Sequence, residues 1–308
     1  MTPRKERRNS VVRMFVWATI MVSIGVGVGL LLTRLGCRSK KRNLQTCEGR
    51  DLLCPASDKD SDSKSKRQEL TTVLNSDTRM CASESTLPMV ALIIDDLGYA
   101  SPDLVVRLCN QQVAFDVAVL PYQEFTKQSA EIAHSRGKEV MLHLPMEPNG
   151  YPGLGKNPGP YAIMHDLPER EVRYRVRKAI ATVPFLKGVN NHMGSRITQD
   201  CSRMTWVLEE VKAKQCFFVD SRTEKGSVAF DMAVNLAVPS SKREVFLDDN
   251  RDPIAITKQW GRAMAIARSN GRVVVIGHIC PETVGALERL IPEAKGKVRF
   301  VQISHIVK

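Results

Sequence analysis

Short apolar runs rich in β-branched residues alternate with helical periodicity from residue 88 to the end of the chain. The apolar runs predict strands at 89–95, 115–120, 138–144, 187–191, 216–220, 245–248, 272–277 and 297–303. The segments between them predict helices at 102–111, 124–136, 168–182, 199–214, 253–269 and 281–290. Asp166 and Thr198 are the expected N-cap residues of two of these helices. Because strands and helices alternate, we expect a parallel sheet that helices cover on both faces.

The folded part spans about 220 residues and holds seven or eight strand and helix units. This size and repetition favour a (β/α) barrel, and a doubly wound open sheet is the alternative. We detect no internal sequence repeat. The folded domain is therefore placed at residues 86–308.

The N-terminal region has a different pattern. Residues 14–32 hold nineteen residues without a charge, which is about the length that spans a hydrocarbon core. We interpret 14–32 as a transmembrane anchor behind a basic segment, 1–13; the alternative is a signal peptide that is removed. Residues 33–85 are polar, without apolar periodicity, and predict a flexible linker. A second alternative is acylation of Cys37 within Leu35-Gly36-Cys37.

The net charge of +12 is concentrated at the start of the chain. Residues 1–42 contribute +9 of it, which leaves +3 for the remaining 266 residues. Phosphate binding needs concentrated cationic charge on the binding face. A nearly neutral domain therefore argues against nucleic acid as a partner, and the basic clusters flank the apolar run instead.

Polar residues gather where the predicted strands end. In parallel α/β folds, the carboxyl ends of the strands meet at one edge of the sheet, and functional residues lie there. Those at the strand ends are Asp95, Asp96, His143, Glu147, Asn190, Asn191, His192, Asp220, Ser221, Arg222 and His278. We therefore expect one polar site at this edge.

These residue types suit metal-assisted hydrolysis. One aspartate with two histidines can hold zinc or another divalent metal and leave a position open for water. A second carboxylate can then accept a proton, and a further histidine can protonate the leaving group. Taken singly, the aspartates also suit a turn and each histidine suits a hydrogen-bonded core position. Cys280 is a conceivable thiol nucleophile, although no base and orienting residue accompany it in the sequence.

Six sequence blocks in order resemble the divergent polysaccharide deacetylase family, within the carbohydrate esterase superfamily. They are ALIIDDLGY (91–99), AVLPY (118–122), EVMLHLPMEP (139–148), GVNNHMGS (188–195), FFVDSRT (217–223) and VVVIGH (273–278). The resemblance implies a distorted (β/α)₇ barrel. It also implies that Asp95 is the catalytic base, Asp96 and His143 are metal ligands, and His278 is the general acid.

The chain departs from the wider deacetylase pattern at two places. Glu147 stands four residues after His143, where the second metal histidine is expected. We assign the missing ligand to His192, with Glu147 as the competing candidate. The Arg-x-Pro-Tyr block is absent, and Asn190-Asn191-His192 stands in its place. Supporting or substrate-binding roles are expected for Asn191, Asp220, Arg222 and Glu147.

The expected function is metal-dependent removal of acyl groups, N-acetyl above all, from a cell-envelope glycan such as a peptidoglycan-like polymer, with zinc as the expected cofactor. One alternative is a barrel with reduced catalysis that binds a glycan or a cell-wall partner. A scaffold organised by the basic N-terminus is a weaker alternative. The resemblance and the linker imply a single-pass inner-membrane protein whose barrel lies on the periplasmic side. The sequence does not specify an oligomeric state.

Overall fold

The computed structural model describes residues 86–308. The predicted basic segment 1–13, anchor 14–32 and linker 33–85 lie outside the described residues, so they stay predictions. Within 86–308, none of the helices combines the length and the apolar character needed to cross a membrane.

Nine strands and seven helices alternate along residues 86–308. The strands are β1 Met89–Leu97, β2 Asp116–Val119, β3 Glu139–Met146, β4 Leu186–Met193, β5 Phe217–Asp220, β6 Ser240–Lys242, β7 Val245–Phe246, β8 Arg272–His278 and β9 Arg299–Val301. The helices are α1 Pro102–Cys109, α2 Thr126–Ser135, α3 Glu169–Thr182, α4 Cys201–Ala213, α5 Ala229–Asn235, α6 Pro253–Asn270 and α7 Pro281–Ala294. Short 3₁₀ turns cover Ile197–Gln199 and Ile303–His305.

The strands form one parallel sheet in the order β6-β5-β4-β3-β2-β1-β8-β7, and β9 pairs with β1. The order follows the chain from β1 to β6 without a reversal, so the doubly wound alternative, which needs a reversal point, is wrong. The chain between β6 and β7 joins the two ends of this order. The backbone N–H of Arg243 donates to Asp220 O on β5, and that of Glu244 donates to Val274 O on β8. The sheet is therefore curled.

Burial on both faces explains why the strands are continuous apolar runs. Successive side chains of β1 point to opposite faces. Val90, Leu92 and Ile94 join the core beneath the helices, whereas Ala91 and Ile93 belong to a second core inside the curled sheet. This inner core also contains Ile303 and Ile306 of the C-terminal segment. Because this inner core is apolar, the polar residues of the predicted site lie above it, at the carboxyl ends of the strands.

Some predicted elements differ from the structure. Thr198 is not an N-cap, because it lies in a 3₁₀ turn and its hydroxyl donates to Gly194 O at 2.9 Å. Asp200 caps α4 instead, by accepting the Arg203 N–H at 3.0 Å. Asp166 is also not a cap, since Pro168 precedes α3. The helix α5 and the strand β6 were not predicted, because seven and three residues are too short for a periodic signal.

Asp116, at the start of β2, is fully buried, and its Oδ2 accepts the Ile303 N–H at 2.9 Å. Burial first, and then the neighbouring Glu139, raise the pKa of Asp116 well above its usual 3.8. The native protein thus keeps a proton that the unfolded chain loses near that pH. The free energy of unfolding must therefore fall as the pH rises from there towards the native pKa of Asp116.

We predict that Asp116→Asn removes this fall in the free energy of unfolding with pH, because an amide has no proton to lose. Its neutral oxygen can still accept the Ile303 N–H. The variant should gain stability over the wild type as the pH rises from 5 to 8, by at least about 1 kcal/mol. Urea unfolding at several pH values measures it. Asp103→Asn, at an exposed position of α1, is the control and should follow the wild type. Parallel pH dependence of Asp116→Asn and wild type would contradict the assignment.

Candidate metal centre and acid/base site

A bulge at the end of β1 brings two consecutive aspartates to one site. Ile94 pairs with Val117 but Leu97 pairs with Val119, so three steps along β1 oppose two along β2. Asp96 has a φ of 66°, in the left-handed region that aspartate tolerates better than most residues. As a result, His143 Nε2 lies 3.6 Å from Asp95 Oδ2 and 3.3 Å from Asp96 Oδ1. The two carboxylates share a site because the backbone leaves extended geometry here.

Three of the predicted ligands form a compact cluster. One potential ligand atom from each of Asp96, His143 and His192 lies within 4.8 Å of the others. Asp96 Oδ1 is 3.3 Å from His143 Nε2 and 3.1 Å from His192 Nδ1. Tetrahedral ligands about 2.1 Å from an ion lie about 3.4 Å from each other. The spacing of this donor set therefore fits a divalent transition metal.

A buried oxygen without a hydrogen bond, Asp96 Oδ1, also suggests that a metal ion fits this cluster. Asp96 Oδ1 is buried, yet no hydrogen bond of good geometry reaches it. The two imidazole nitrogens approach it closely without directing an N–H at it. A buried carboxylate oxygen is normally satisfied, and a cation between the three donor atoms would satisfy it. The ligand roles of Asp96, His143 and His192 stay predictions.

Asn190, which the sequence places at the polar edge without a role, orients the site. Its Oδ1 lies 2.7 Å from His143 Nδ1, and its Nδ2 donates to Asp95 Oδ1 at 2.8 Å. Because an amide oxygen only accepts, His143 Nδ1 carries the proton and Nε2 is free to bind a metal. His143 pairs with Asn190 in the β3–β4 register, so this contact is built into the sheet. Asn190 thus fixes the ring of one predicted ligand and the carboxylate of the predicted base.

The surroundings of the two aspartates shift their pKa values in opposite directions. Burial raises the pKa of Asp95, although the charges of His143 and His278 oppose the rise. Burial also favours the neutral form of Asp96, but its interactions with His143 and His192 outweigh burial and leave its pKa far below the usual range. Burial lowers the pKa of His192, so its neutral, metal-binding form is favoured. Asp95 thus suits a proton acceptor and Asp96 suits a permanently charged ligand.

His278 lies at the end of β8 and is paired in register with Asp95. Its Nδ1 is 3.0 Å from Asp248 Oδ1, and its backbone N–H donates to Asp248 Oδ2 at 2.7 Å. Burial lowers the pKa of His278, but the hydrogen bond and the charge of Asp248 outweigh it and raise the pKa to about 9. Thr283 donates to Asp248 Oδ2 at 2.6 Å and fixes this carboxylate. With Nδ1 engaged, Nε2 carries the proton that His278 can donate.

Asp248 was missed as a functional residue, although it ends a predicted strand, VFLD (245–248). Its position was the available signal, because it is the same signal that identified Asp95 and Asp220. Cys280 is buried and its thiol lies 3.2 Å from the Thr283 hydroxyl, to which it donates. Cys280 is thus next to Thr283, which donates to the Asp248 carboxylate that contacts His278.

Glu147 does not join the metal cluster. Its Oε1 accepts from Arg196 Nη1 at 2.5 Å and its Oε2 accepts the His165 N–H at 2.6 Å. Both oxygens are therefore engaged, which disfavours Glu147 as the competing ligand and leaves His192 as the second histidine.

Asn191 and Asp220 hold the loop that follows β5. Asn191 Oδ1 accepts the Ser221 N–H at 2.9 Å. Asp220 Oδ1 accepts the Arg222 N–H at 2.8 Å, and its Oδ2 accepts from the Ser227 hydroxyl at 2.7 Å. These contacts support the position of Arg222 at the carboxyl edge. The expected substrate-binding roles of these residues stay predictions.

Comparison with known proteins agrees with the resemblance that the sequence motifs carry. A family model described as divergent polysaccharide deacetylase matches residues 92–307. YibQ of Escherichia coli K12, described as uncharacterized, is 34% identical over 218 residues, which cover 71% of this chain and 67% of that protein. An uncharacterized Haemophilus influenzae protein is 31% identical over 208 residues, or 66% of this chain and 72% of that protein.

A solved structure shares the fold. The crystal structure of ATU2773 from Agrobacterium tumefaciens C58, also described as uncharacterized, superposes with a TM-score of 0.67 at 24% identity. The superposition covers 72% of this chain and 89% of that one. Because the family model spans nearly all of the described residues, the chain belongs to the divergent polysaccharide deacetylase family.

Proposed function

We propose that this protein is a metal-dependent hydrolase that removes N-acetyl groups from a cell-envelope glycan of the peptidoglycan type. The observation that carries the proposal is the cluster of Asp96, His143 and His192, which lies beside the buried Asp95 carboxylate and the His278 imidazole that Asp248 holds. Family membership supports a carbohydrate substrate. The proposal includes a (β/α)₇ barrel, in which β6 and β7 count as one strand and β9, which pairs with β1 outside the strand order, is not counted.

Asp96, His143 and His192 would hold the ion, and zinc suits one carboxylate with two imidazoles. A divalent ion bound there supplies a Lewis acid that polarises the acyl carbonyl and acidifies a water. The Asp96 side chain is 28% exposed, so the cluster opens to solvent on one side. A substrate can therefore approach from the carboxyl edge of the sheet.

Asp95 and His278 would move the protons. Asp95 accepts a proton from the attacking water, since burial raises its pKa towards the working range while Asn190 holds its Oδ1. His278 donates a proton from Nε2 to the leaving amine, because Asp248 keeps the ring charged and holds Nδ1. Asn191, Asp220, Arg222 and Glu147 complete the proposed supporting and substrate-binding residues.

The second candidate is a barrel that binds a glycan or a cell-wall partner without catalysis. The observation that favours it is the use of Glu147 in contacts with Arg196 and His165, at the position where the wider deacetylase pattern has its second histidine. Metal content separates the two candidates, since a binding module needs no metal.

We also propose that residues 14–32 anchor the chain in the inner membrane and that the folded domain lies in the periplasm. The apolar run and the polar linker support this arrangement. A reporter fused after residue 308 that is active only in the cytoplasm would overturn it.

We predict that replacing Asp96 abolishes metal binding, whereas replacing Asp95 slows turnover but leaves the metal bound. Asp96→Asn, His143→Ala and His192→Ala should lose metal, because each removes a donor atom of the cluster. Asp95→Asn and His278→Ala should keep about one metal per chain and lose about 10²–10⁴-fold in rate, as expected for a missing proton acceptor or donor. Metal analysis beside acetate release from an N-acetylated glycan oligomer measures both effects.

Glu147→Gln is the control for the ligand set and should keep the metal, because Glu147 is engaged by Arg196 and His165. Metal loss in Asp95→Asn with retention in Asp96→Asn would reverse the assignment. Full metal content in all of Asp96→Asn, His143→Ala and His192→Ala would refute the metal centre.

We predict that Asp248→Asn shifts the pH–rate profile. As a general acid, His278 is active while protonated, so the wild-type rate should fall as the pH rises through about 9. Without the Asp248 charge, the pKa of His278 falls towards its ordinary 6.5, and the basic limb should move to lower pH. The exposed neighbour Asp249 provides the control, since Asp249→Asn should leave the basic limb in place. An unshifted limb in Asp248→Asn would remove His278 from the acid role.

A further inference from the structure

Two arginines at the carboxyl edge of the sheet lie near the site, and neither forms an ion pair within residues 86–308. Arg222 follows β5, and Arg243 lies between β6 and β7. Arg243 interacts electrostatically with Asp220, Asp95 and Asp249, and also with Arg222. The two cations therefore neighbour each other beside the proposed base.

Arg222 has an unusual backbone and a free side chain. Its φ of 50° lies in the left-handed region, which is uncommon for a residue with a long side chain. The backbone is held there by the Arg222 N–H, which donates to Asp220 Oδ1, and by the Arg222 carbonyl, which accepts from Arg243 Nη2 at 2.7 Å. Among residues 86–308, no hydrogen bond or ion pair engages the Arg222 guanidinium. Strained backbone that presents an unpaired functional group is a feature of ligand-binding sites.

Arg243 is half-buried but also lacks an ion pair within the described part of the chain. Its Nε and Nη2 donate to the carbonyls of Ser221, at 2.5 Å, and Arg222, and its guanidinium lies 4.6 Å from the Phe246 ring centroid. These partners are neutral, so they satisfy donors without neutralising the charge. Its Nη1 makes no hydrogen bond within 86–308 and stays available.

Asp220 is the acid with the largest effect on the pKa of Arg243, ahead of Asp95 and Asp249, but burial outweighs all three. Its two oxygens already accept from the Arg222 N–H and the Ser227 hydroxyl. Burial lowers the pKa of Arg243, and the charge of Arg222 acts in the same direction. Two partly desolvated like charges repel each other, and an anion that binds both relieves the repulsion.

We propose that Arg222, together with its neighbour Arg243, binds an oxyanion group, a carboxylate or a phosphate, that the glycan carries next to its N-acetylated sugar. This inference rests on the proposed function for the identity of the glycan. A guanidinium fork binds two oxygens of such a group at once. The site would therefore select charged glycans over neutral ones.

The test compares three N-acetylated oligosaccharides of equal length: a neutral one, one with a carboxylate on the adjacent sugar, and one with a phosphate there. Affinities are measured by calorimetry at low salt in the Asp95→Asn background, so that turnover does not interfere. We expect the better charged oligosaccharide to bind about 10- to 100-fold more tightly than the neutral one. The tighter of the two identifies the oxyanion.

Arg222→Gln should reduce this preference to within about threefold, and Arg222→Lys should retain part of it, because an ammonium keeps the charge but loses the fork. Arg268→Gln is the matched control: Arg268 is exposed in the last turn of α6, near the start of β8, and should leave the preference unchanged. A preference that persists in Arg222→Gln, or that falls equally in Arg268→Gln, would overturn the proposal, as would equal affinity for all three oligosaccharides.

Acetate release by the chain with Asp95 intact separates this inference from the proposed function. Arg222-dependent binding without acetate release from any of the three would refute the hydrolase and support the anion site. Acetate release with an unchanged preference in Arg222→Gln would support the hydrolase and refute the anion site.

Discussion

The left-handed turn of the backbone at Asp96 is the constraint on which the site depends. In regular strand geometry, Asp95 and Asp96 would point to opposite faces of the sheet. The bulge between Ile94 and Leu97 breaks that alternation and brings both carboxylates to His143. The left-handed conformation of Asp96 costs free energy. Pairing of β1 with β2 on one side and with β8 on the other offsets this cost. A rigid, apolar sheet thus holds two adjacent acids in different environments.

Strand register supplies the rest of the constellation. Asn190 and His192 are two residues apart on β4 and therefore lie on the same face of the strand. Both side chains consequently contact His143. In the proposed metal site, His192 on the neighbouring strand supplies the second imidazole in place of a histidine at position 147. Glu147 contacts Arg196 and His165 instead. On the opposite side, β8 brings His278 level with Asp95.

The sequence predicted the features that follow from where strands end. It did not predict the roles of residues that depend on contacts between distant parts of the chain. Apolar runs ending in Asp95, His143 and His278 predicted both the parallel sheet and the gathering of these residues, because parallel strands end at one edge. Asn190 was placed at a strand end but given no role, and Asp248 was not placed in the site, since their roles come from partners 47 and 30 residues away in the chain. Thr198 was misplaced as a cap because local propensity cannot show that its hydroxyl binds Gly194 O.

We propose that Asp96, His143 and His192 bind one metal ion, and X-ray absorption at the zinc edge measures the ligands of that ion. For the purified, zinc-loaded chain, we expect nitrogen and oxygen ligands at about 2.0–2.2 Å, with multiple scattering from two imidazoles. His192→Ala should show one imidazole fewer or bind no zinc. A zinc spectrum without imidazole scattering, or one that His192→Ala leaves unchanged, would refute this metal site.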